Sequence, residues 1–279
     1  MNSAALSSSP MQRRLALVYA FARSSFIIML MHRVRYVIGV VNYFVYVTVN
    51  YYLWDALFAA NPGAITAGWS LPQMQTYVCV NWVVRSAYFS NSDNILAARI
   101  NKGEITSDLL RPTSLLTQFY GSALGEVIFR SLFMAAPVLV LVLFFFNIQP
   151  PASSSHALLF LYSVFLAFHL FFAVNFLTGL CAVFTEKLQG FLWAKFMLLQ
   201  FLTGLLLPPQ FFPEAFRIVF ELLPFKGMAY TPMSIYLGRF EQNTLAWELL
   251  LQTLWTIGLL LLCEWSWERV RRRLSVLGG

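Results

Sequence analysis

Charge is scarce in this chain: 11% of its 279 residues are Asp, Glu, Lys or Arg, against 59% hydrophobic residues and a mean hydropathy of +0.66. A water-soluble domain of ordinary usage carries about 25% charged residues, so a soluble surface cannot be built from this list, and lipid must cover what charge does not. Cysteine is almost missing as well. Cys79, Cys181 and Cys263 fall inside apolar stretches without metal-ligand spacing. They read as small buried hydrophobes, and neither a disulfide framework nor a metal site is expected. The chain has no G-x-x-x-x-G-K-[ST] phosphate loop and no H-E-x-x-H pair, and Gly121-Ser122-Ala123-Leu124-Gly125 misses G-x-S-x-G by one place. No catalytic residue is therefore assigned, and any ATP-derived energy has to come from another polypeptide. Residues 1–10 lack the charged start, apolar centre and cleavage site of a signal peptide and read as a disordered tail.

What the chain has instead is long uncharged runs. A helix needs about 20 apolar residues to cross the hydrocarbon. On that measure the sequence offers six crossings, at about 36–58, 71–89, 120–147, 156–184, 188–207 and 245–265. The first closes on Tyr51, Tyr52 and Trp54, as an aromatic belt would. Ser131 to Thr185 contains no formal charge and is too long for one crossing, but Pro150-Pro151 and the serines behind them divide it into a hairpin. Sixteen of the nineteen lysines and arginines then fall on one side, with Arg217, Lys226 and Arg239 on the other. The rich side is cytoplasmic by the positive-inside rule, which puts both termini there, including a basic tail over 266–279. The net charge of +7 is spread between apolar runs, so nucleic-acid binding is not expected.

Two segments read as helices that do not cross. Residues 11–35 carry Arg13, Arg14 and Arg23 through an apolar helix, which suits an amphipathic anchor lying in the interface among membrane lipids. The link over 90–117 reads as a short cytoplasmic helix: Ser90 and Asp93 fit a capping box, Ile95, Leu96 and Ile100 share a face, and Gly103 is placed to end it. A linker that only joined two spans would need a few polar residues, so an ordered helix here suggests a docking partner. Its bland alternative is a helix lying on the surface.

Among charges in the membrane, Glu126 and Arg130 stand four apart on one helix and read as a structural ion pair. His169, among phenylalanines, reads as a histidine hydrogen-bonded to a neighbouring helix. Beyond the fifth span, Pro208, Pro209, Pro213 and Pro224 punctuate an apolar stretch in which Arg217 can pair with Glu214 or Glu221.

Three stretches carry a family resemblance: INKGEITSDLLRPTS from Ile100 to Ser114, FLTGLLLPPQFFPEAFRIVFELLPF from Phe201 to Phe225, and YTPMSIYLGR from Tyr230 to Arg239. Together they resemble the bacterial ABC type-2 exporter permeases, in the branch with a Gly-Glu and Leu-Leu-Arg-Pro cytoplasmic link. The resemblance runs from about Arg13 to Arg273. It implies an all-α integral membrane subunit of six transmembrane helices with an N-terminal connecting helix. It further implies pairing with a second permease subunit, identical or homologous, on two ABC ATPase subunits that hold ATP and Mg, in the bacterial cytoplasmic membrane. The link becomes a coupling helix, with Ile95, Arg99, Ile100, Asn101, Lys102, Gly103, Glu104, Leu110, Arg111 and Pro112 at the ATPase. Residues 208–225 become an outer re-entrant hairpin, with Gly204, Pro208, Pro213, Pro224 and Phe225 at the gate. Separately from the resemblance, the aromatic content of 17% suggests an amphipathic or lipid-like cargo. The main competing reading, a transporter driven by an ion gradient, lacks a clear internal repeat and a mid-membrane carboxylate. A membrane-embedded enzyme is the lesser one.

Overall fold

The computed structural model describes residues 10–60, 68–109, 113–185 and 188–277, and these are helical and turn segments without a strand. Helix α1 (Pro10–Met31) starts on a proline, which loses nothing at a first helical position, and only His32 separates it from α2 (Arg33–Ala60). Helix α3 (Leu71–Tyr88) opens with a capping box: the Ser70 hydroxyl accepts from the Gln73 amide and the Gln73 side chain from the Ser70 amide. Short helices α4 (Ser92–Asn101) and α5 (Ile105–Leu109) follow. Ser114 then caps α6 (Leu115–Arg130), which continues through a π turn at Ser131–Ala135 into α7 (Ala136–Phe145). Pro137 would clash with a carbonyl of the preceding turn in a regular helix, and the wider π turn gives it room. Helix α8 (Ser154–Leu180), capped by Ser153, is followed by α9 (Gln189–Leu202), α10 (Glu214–Leu222), α11 (Tyr230–Tyr236) and α12 (Gln242–Leu277).

Cross-helix pairs fix the directions. Tyr43 and Tyr46 lie against Trp82, and Gln75 donates to Asp55 at 3.5 Å, so α2 and α3 are antiparallel. Tyr36 meets Phe129 and Phe44 meets Phe145, so α2 follows the α6–α7 rod. Helix α8 runs with α3, from Gln149 beside Thr76 to Asn175 beside Ser90. It also runs with α12, from Ser163 on Gln252 to Ala173 on Cys263. Helix α9 opposes α3, with Phe196 at Phe89 and Gly204 at Tyr77. Among the described elements, α2, the α6–α7 rod and α9 thus run one way and α3, α8 and α12 the other.

Among the described residues, five helices are long and apolar enough to cross a membrane: Met11–Met31, Val34–Ala60, Leu115–Phe145, Ser154–Val183 and Gln242–Arg272. This set differs from the expected six in three places. Helix α1 qualifies by length and hydropathy, yet it adds no reversal, because it runs alongside α6 in the same direction that α2 continues. Val18 and Phe21 face Gly121, Ala22 faces Gly125, and Phe26 packs on Phe129. Helix α3 falls short because it carries Gln75, Thr76, Asn81, Arg85 and Ser86, all buried, and protein rather than lipid surrounds them. Helix α9 ends at Leu202, short of the expected 207, because Gly204 takes the left-handed conformation (φ +77°).

One further expectation is corrected. Ser90 and Asp93 form no capping box: α4 begins at Ser92 behind Asn91 with no side-chain cap, because Ser90 donates to Glu126 and Asp93 binds Lys195. Up to Leu277, the segment expected as a basic tail continues α12 unbroken, through residues with good helix propensity. The residues expected as a disordered tail lie, up to residue 9, outside the described ones.

Apolar packing forms two large centres and a small third one around Ala97, Ala182, Leu188 and Leu192. One, between α2, α3 and α7, includes Val47, Met74, Tyr77 and Val138; the other, between α6, α8 and α12, includes Leu115, Leu170, Phe176 and Cys263. Most remaining large apolar side chains of α1, α2, α7, α9 and α12 face outward, as a lipid-covered surface demands.

Candidate functional site

The link after α3 folds back on itself. Gly103 (φ +72°) takes the left-handed conformation that ends a helix, and α5 follows at once. Arg99 pairs with the buried Asp108 at 3.0 Å and lies over the Phe119 ring, which closes the loop against α6. Asn101, Lys102, Gly103 and Glu104 form its exposed tip. The expected shared apolar face is split. Leu96 is fully buried against Gly179, where a side chain would come within 2.9 Å of it, whereas Ile95 is 50% exposed and Ile100 is half-buried. Leu110, Arg111 and Pro112 lie outside the described residues.

Behind the link sits a polar cluster. Lys195 of α9 forms a buried ion pair with Asp93 and donates to Asn175 of α8 at 2.7 Å; Asn175 in turn donates to the Ser90 carbonyl at 3.0 Å. Glu126 and Arg130 stand 3.8 Å apart, as the spacing implied; Glu126 also accepts from Ser90 at 2.6 Å, and Arg130 Nε donates to the Ser86 carbonyl. The start of α4 is thereby tied to three long elements. His169 donates through Nδ1 to the Phe165 carbonyl at 2.8 Å and accepts at Nε2 from Tyr120 at 2.9 Å. Both ring nitrogens are satisfied, which fits the structural role expected of it.

The second region follows α9. Tyr77 donates to the Gly204 carbonyl, and the Tyr230 amide to Thr203 at 3.0 Å. A side chain at Gly204 would sit 3.0 to 3.3 Å from Tyr230, Tyr77 and Phe220. Pro208 precedes a short 3-10 turn, and Pro213 leads into α10, where Arg217 lies 3.6 Å from Glu214 and 3.9 Å from Glu221. Phe216, Ile218, Val219 and Leu222 of α10 are exposed while Phe220 is buried in the core. The turn Pro224–Met228 then enters the bundle, with Phe225 half-buried: Tyr88 donates to the Met228 carbonyl at 2.6 Å, and Gln252 to the carbonyls of Gly227 and Ser163. Helix α11 returns to the Pro150 turn, where Tyr236 donates to Gln149 and accepts from Ala152.

Sequence reasoning missed the Asp93–Lys195–Asn175 cluster and the tie between Lys226 and Glu248. The available signal was a single polar residue within an apolar run, at Asn175, Lys195 and Gln252, since such residues seldom go unpaired among apolar helices.

These features define a multi-pass helical membrane protein of the permease class, with a folded polar link at one end and a broken apolar segment drawn into its interior. The family model for the ABC-2 family transporter protein matches residues 44–278, and the chain belongs to that family. It is a transmembrane permease component of an ABC transporter, and permeases of this family normally work with an ABC ATPase. No curated protein and no solved structure matches the chain.

Proposed function

We propose that the chain is the membrane-spanning subunit of an ATP-driven exporter in the bacterial cytoplasmic membrane. It pairs with a second permease, identical or homologous, on two ATPase subunits that bind ATP and Mg. The observation that carries this is the α4–α5 link: an exposed tip, Asn101–Glu104, stands on a helix whose base is ion-paired to α9 and hydrogen-bonded to α8. A push on such a tip is passed to two traversing elements and is not absorbed by a loose loop. Ile95, Arg99, Ile100 and residues 110–112 complete the surface gripped by the ATPase.

Both termini lie in the cytoplasm on this reading. The Leu115–Phe145 rod spans about 46 Å at 1.5 Å per residue, longer than the roughly 30 Å of hydrocarbon. Its Leu115 end therefore reaches the cytoplasmic interface, and α1, packed along that end, is the connecting helix there. Gly204, Pro208, Pro213, Pro224 and Phe225 line the external gate, with the broken segment re-entering from outside; irregular backbone is tolerated at such depth where protein buries it. The cargo is amphipathic and leaves through the permease interface when ATP closes the ATPases.

Purification of the full chain with its ATPase in mild detergent tests this. The ATPase should remain bound to the wild type and be lost from Arg111→Glu and Glu104→Lys variants that still fold. An ATPase that stays with both variants overturns the assignment of the link, and ion-driven uptake by the chain alone overturns the exporter.

A further inference from the structure

A cavity of about 440 Å³ lies between the end of α3, the start of α4, and helices α8 and α9. Its walls include Phe171, Leu192, Phe196 and Leu199, which are apolar, and Arg85 and Lys195, which are not. The charges around it do not cancel. Asp93 is taken by Lys195 and Glu126 by Arg130, while Arg85, only 6% exposed, has no carboxylate partner among the described residues. Its guanidinium rests over Phe171 at 4.1 Å, Phe89 at 5.2 Å and Tyr88 at 5.5 Å. Ring faces attract a cation from above but leave the in-plane N–H donors of a guanidinium free to meet an anion. Trp193 and Gln189 both line the cavity and are exposed, so it opens onto the outer face of α9.

We propose that this cavity holds the anionic headgroup of an amphipathic molecule, with Arg85 as its charge partner, Lys195 beside it, and Phe171, Trp193, Phe196 and Leu199 against the apolar part. A free inorganic anion would leave most of that apolar wall unused, whereas a phosphate or carboxylate on a lipid-like body matches both surfaces. The site names the cargo class of the proposed exporter and rests on that reading for its role in transport. The binding itself is measured on the chain without an ATPase, so a missing site and a missing ATPase register separately.

The test is native mass spectrometry of the full chain in neutral detergent, titrated with phosphatidylglycerol, phosphatidylcholine or inorganic phosphate. Phosphatidylglycerol should bind in clear preference to phosphatidylcholine, and Arg85→Gln should weaken it about tenfold or more, as truncating a buried charge contact does. Because Arg85 is buried, its loss could also disturb folding, so the deciding pair is at exposed Gln189. Gln189→Glu should weaken phosphatidylglycerol binding and Gln189→Lys strengthen it, each by about two- to fivefold, the range of an exposed charge pair. Equal binding of the two lipids, or a shift of the same sign in both Gln189 variants, overturns the site. Displacement of phosphatidylglycerol by equimolar phosphate overturns the lipid headgroup as its ligand.

Discussion

Lys226 Nζ lies 2.6 Å from Glu248 Oε1, with both side chains nearly enclosed, and this pair fastens the Pro224–Met228 turn to α12. Removing one partner of a buried pair leaves the other charge unpaired. Lys226→Met should therefore destabilise the protein by about 3–5 kcal/mol. The double variant Lys226→Met, Glu248→Leu should recover most of that loss, because the penalty comes from the stranded carboxylate. Thermal unfolding of the wild type and the two variants in one detergent checks this, and a double variant no better than the single contradicts it.

The seat of α1 on α6 depends on two glycines. At Gly125 an added Cβ would lie 2.1 Å from the Ala22 carbonyl oxygen, and at Gly121 2.8 Å from both Val18 and Phe21. These are backbone and inner side-chain atoms that cannot swing aside. Gly125→Ala should cost about 1–3 kcal/mol by overpacking, and Gly125→Leu should lift α1 away. Trypsin cleavage at the exposed Arg23 should then speed up in Gly125→Leu relative to wild type. Unchanged cleavage would mean that α1 is held by something other than this groove.

The same addition at Gly258 should act the other way. This residue sits inside α12, and a Cβ there meets no atom within 4 Å. Gly258→Ala removes backbone freedom from the unfolded chain and should stabilise the helix by about 0.5–1 kcal/mol. A higher unfolding temperature is the expected reading, and a lower one would show that α12 is crowded here by a neighbour outside this chain.

The long apolar helices α2, α6–α7, α8 and α12 were legible in the sequence because lipid imposes one rule on every exposed position of such a helix, and that rule needs no tertiary information. Arg217 between Glu214 and Glu221, and Glu126 with Arg130, were legible too, since helical spacing alone brings them together. Asp93 and Lys195 are 102 residues apart, and no local pattern announces their meeting. Ser90 and Asp93 misled for the same reason: the local rule offered them to the helix start, and distant partners took both. The character of α3 was not legible, because its polar residues face other helices, which periodicity cannot distinguish from polar residues facing water.

At Gly204 the backbone holds φ +77°, and its carbonyl accepts from the Tyr77 hydroxyl. A side chain in the left-handed region costs about 1–2 kcal/mol before any clash with Tyr230 and Phe220 is counted. Gly204→Ala should therefore be more damaging than Tyr77→Phe, which removes one hydrogen bond worth about 1 kcal/mol. If this junction belongs to the gate, both variants should also change the transport rate while ATPase binding is kept. Chemical unfolding ranks the two stabilities, and export from inverted vesicles reads the rates.

The tip of the link offers the sharpest separation of stability from function. Glu104 and Lys102 are exposed, and surface substitutions of this kind usually alter stability by less than about 0.5 kcal/mol. Glu104→Lys should therefore leave the unfolding temperature of the permease unchanged. Asp93→Asn sits eleven residues away at the base of α4, but it removes the buried partner of Lys195 and should lower that temperature clearly. If the link transmits force from an ATPase, the two variants fail differently. Glu104→Lys loses the ATPase in co-purification, whereas Asp93→Asn keeps it bound and loses the coupling of hydrolysis to transport. Retention of the ATPase by Glu104→Lys, together with full coupling in Asp93→Asn, would leave α4 as a structural strut alone.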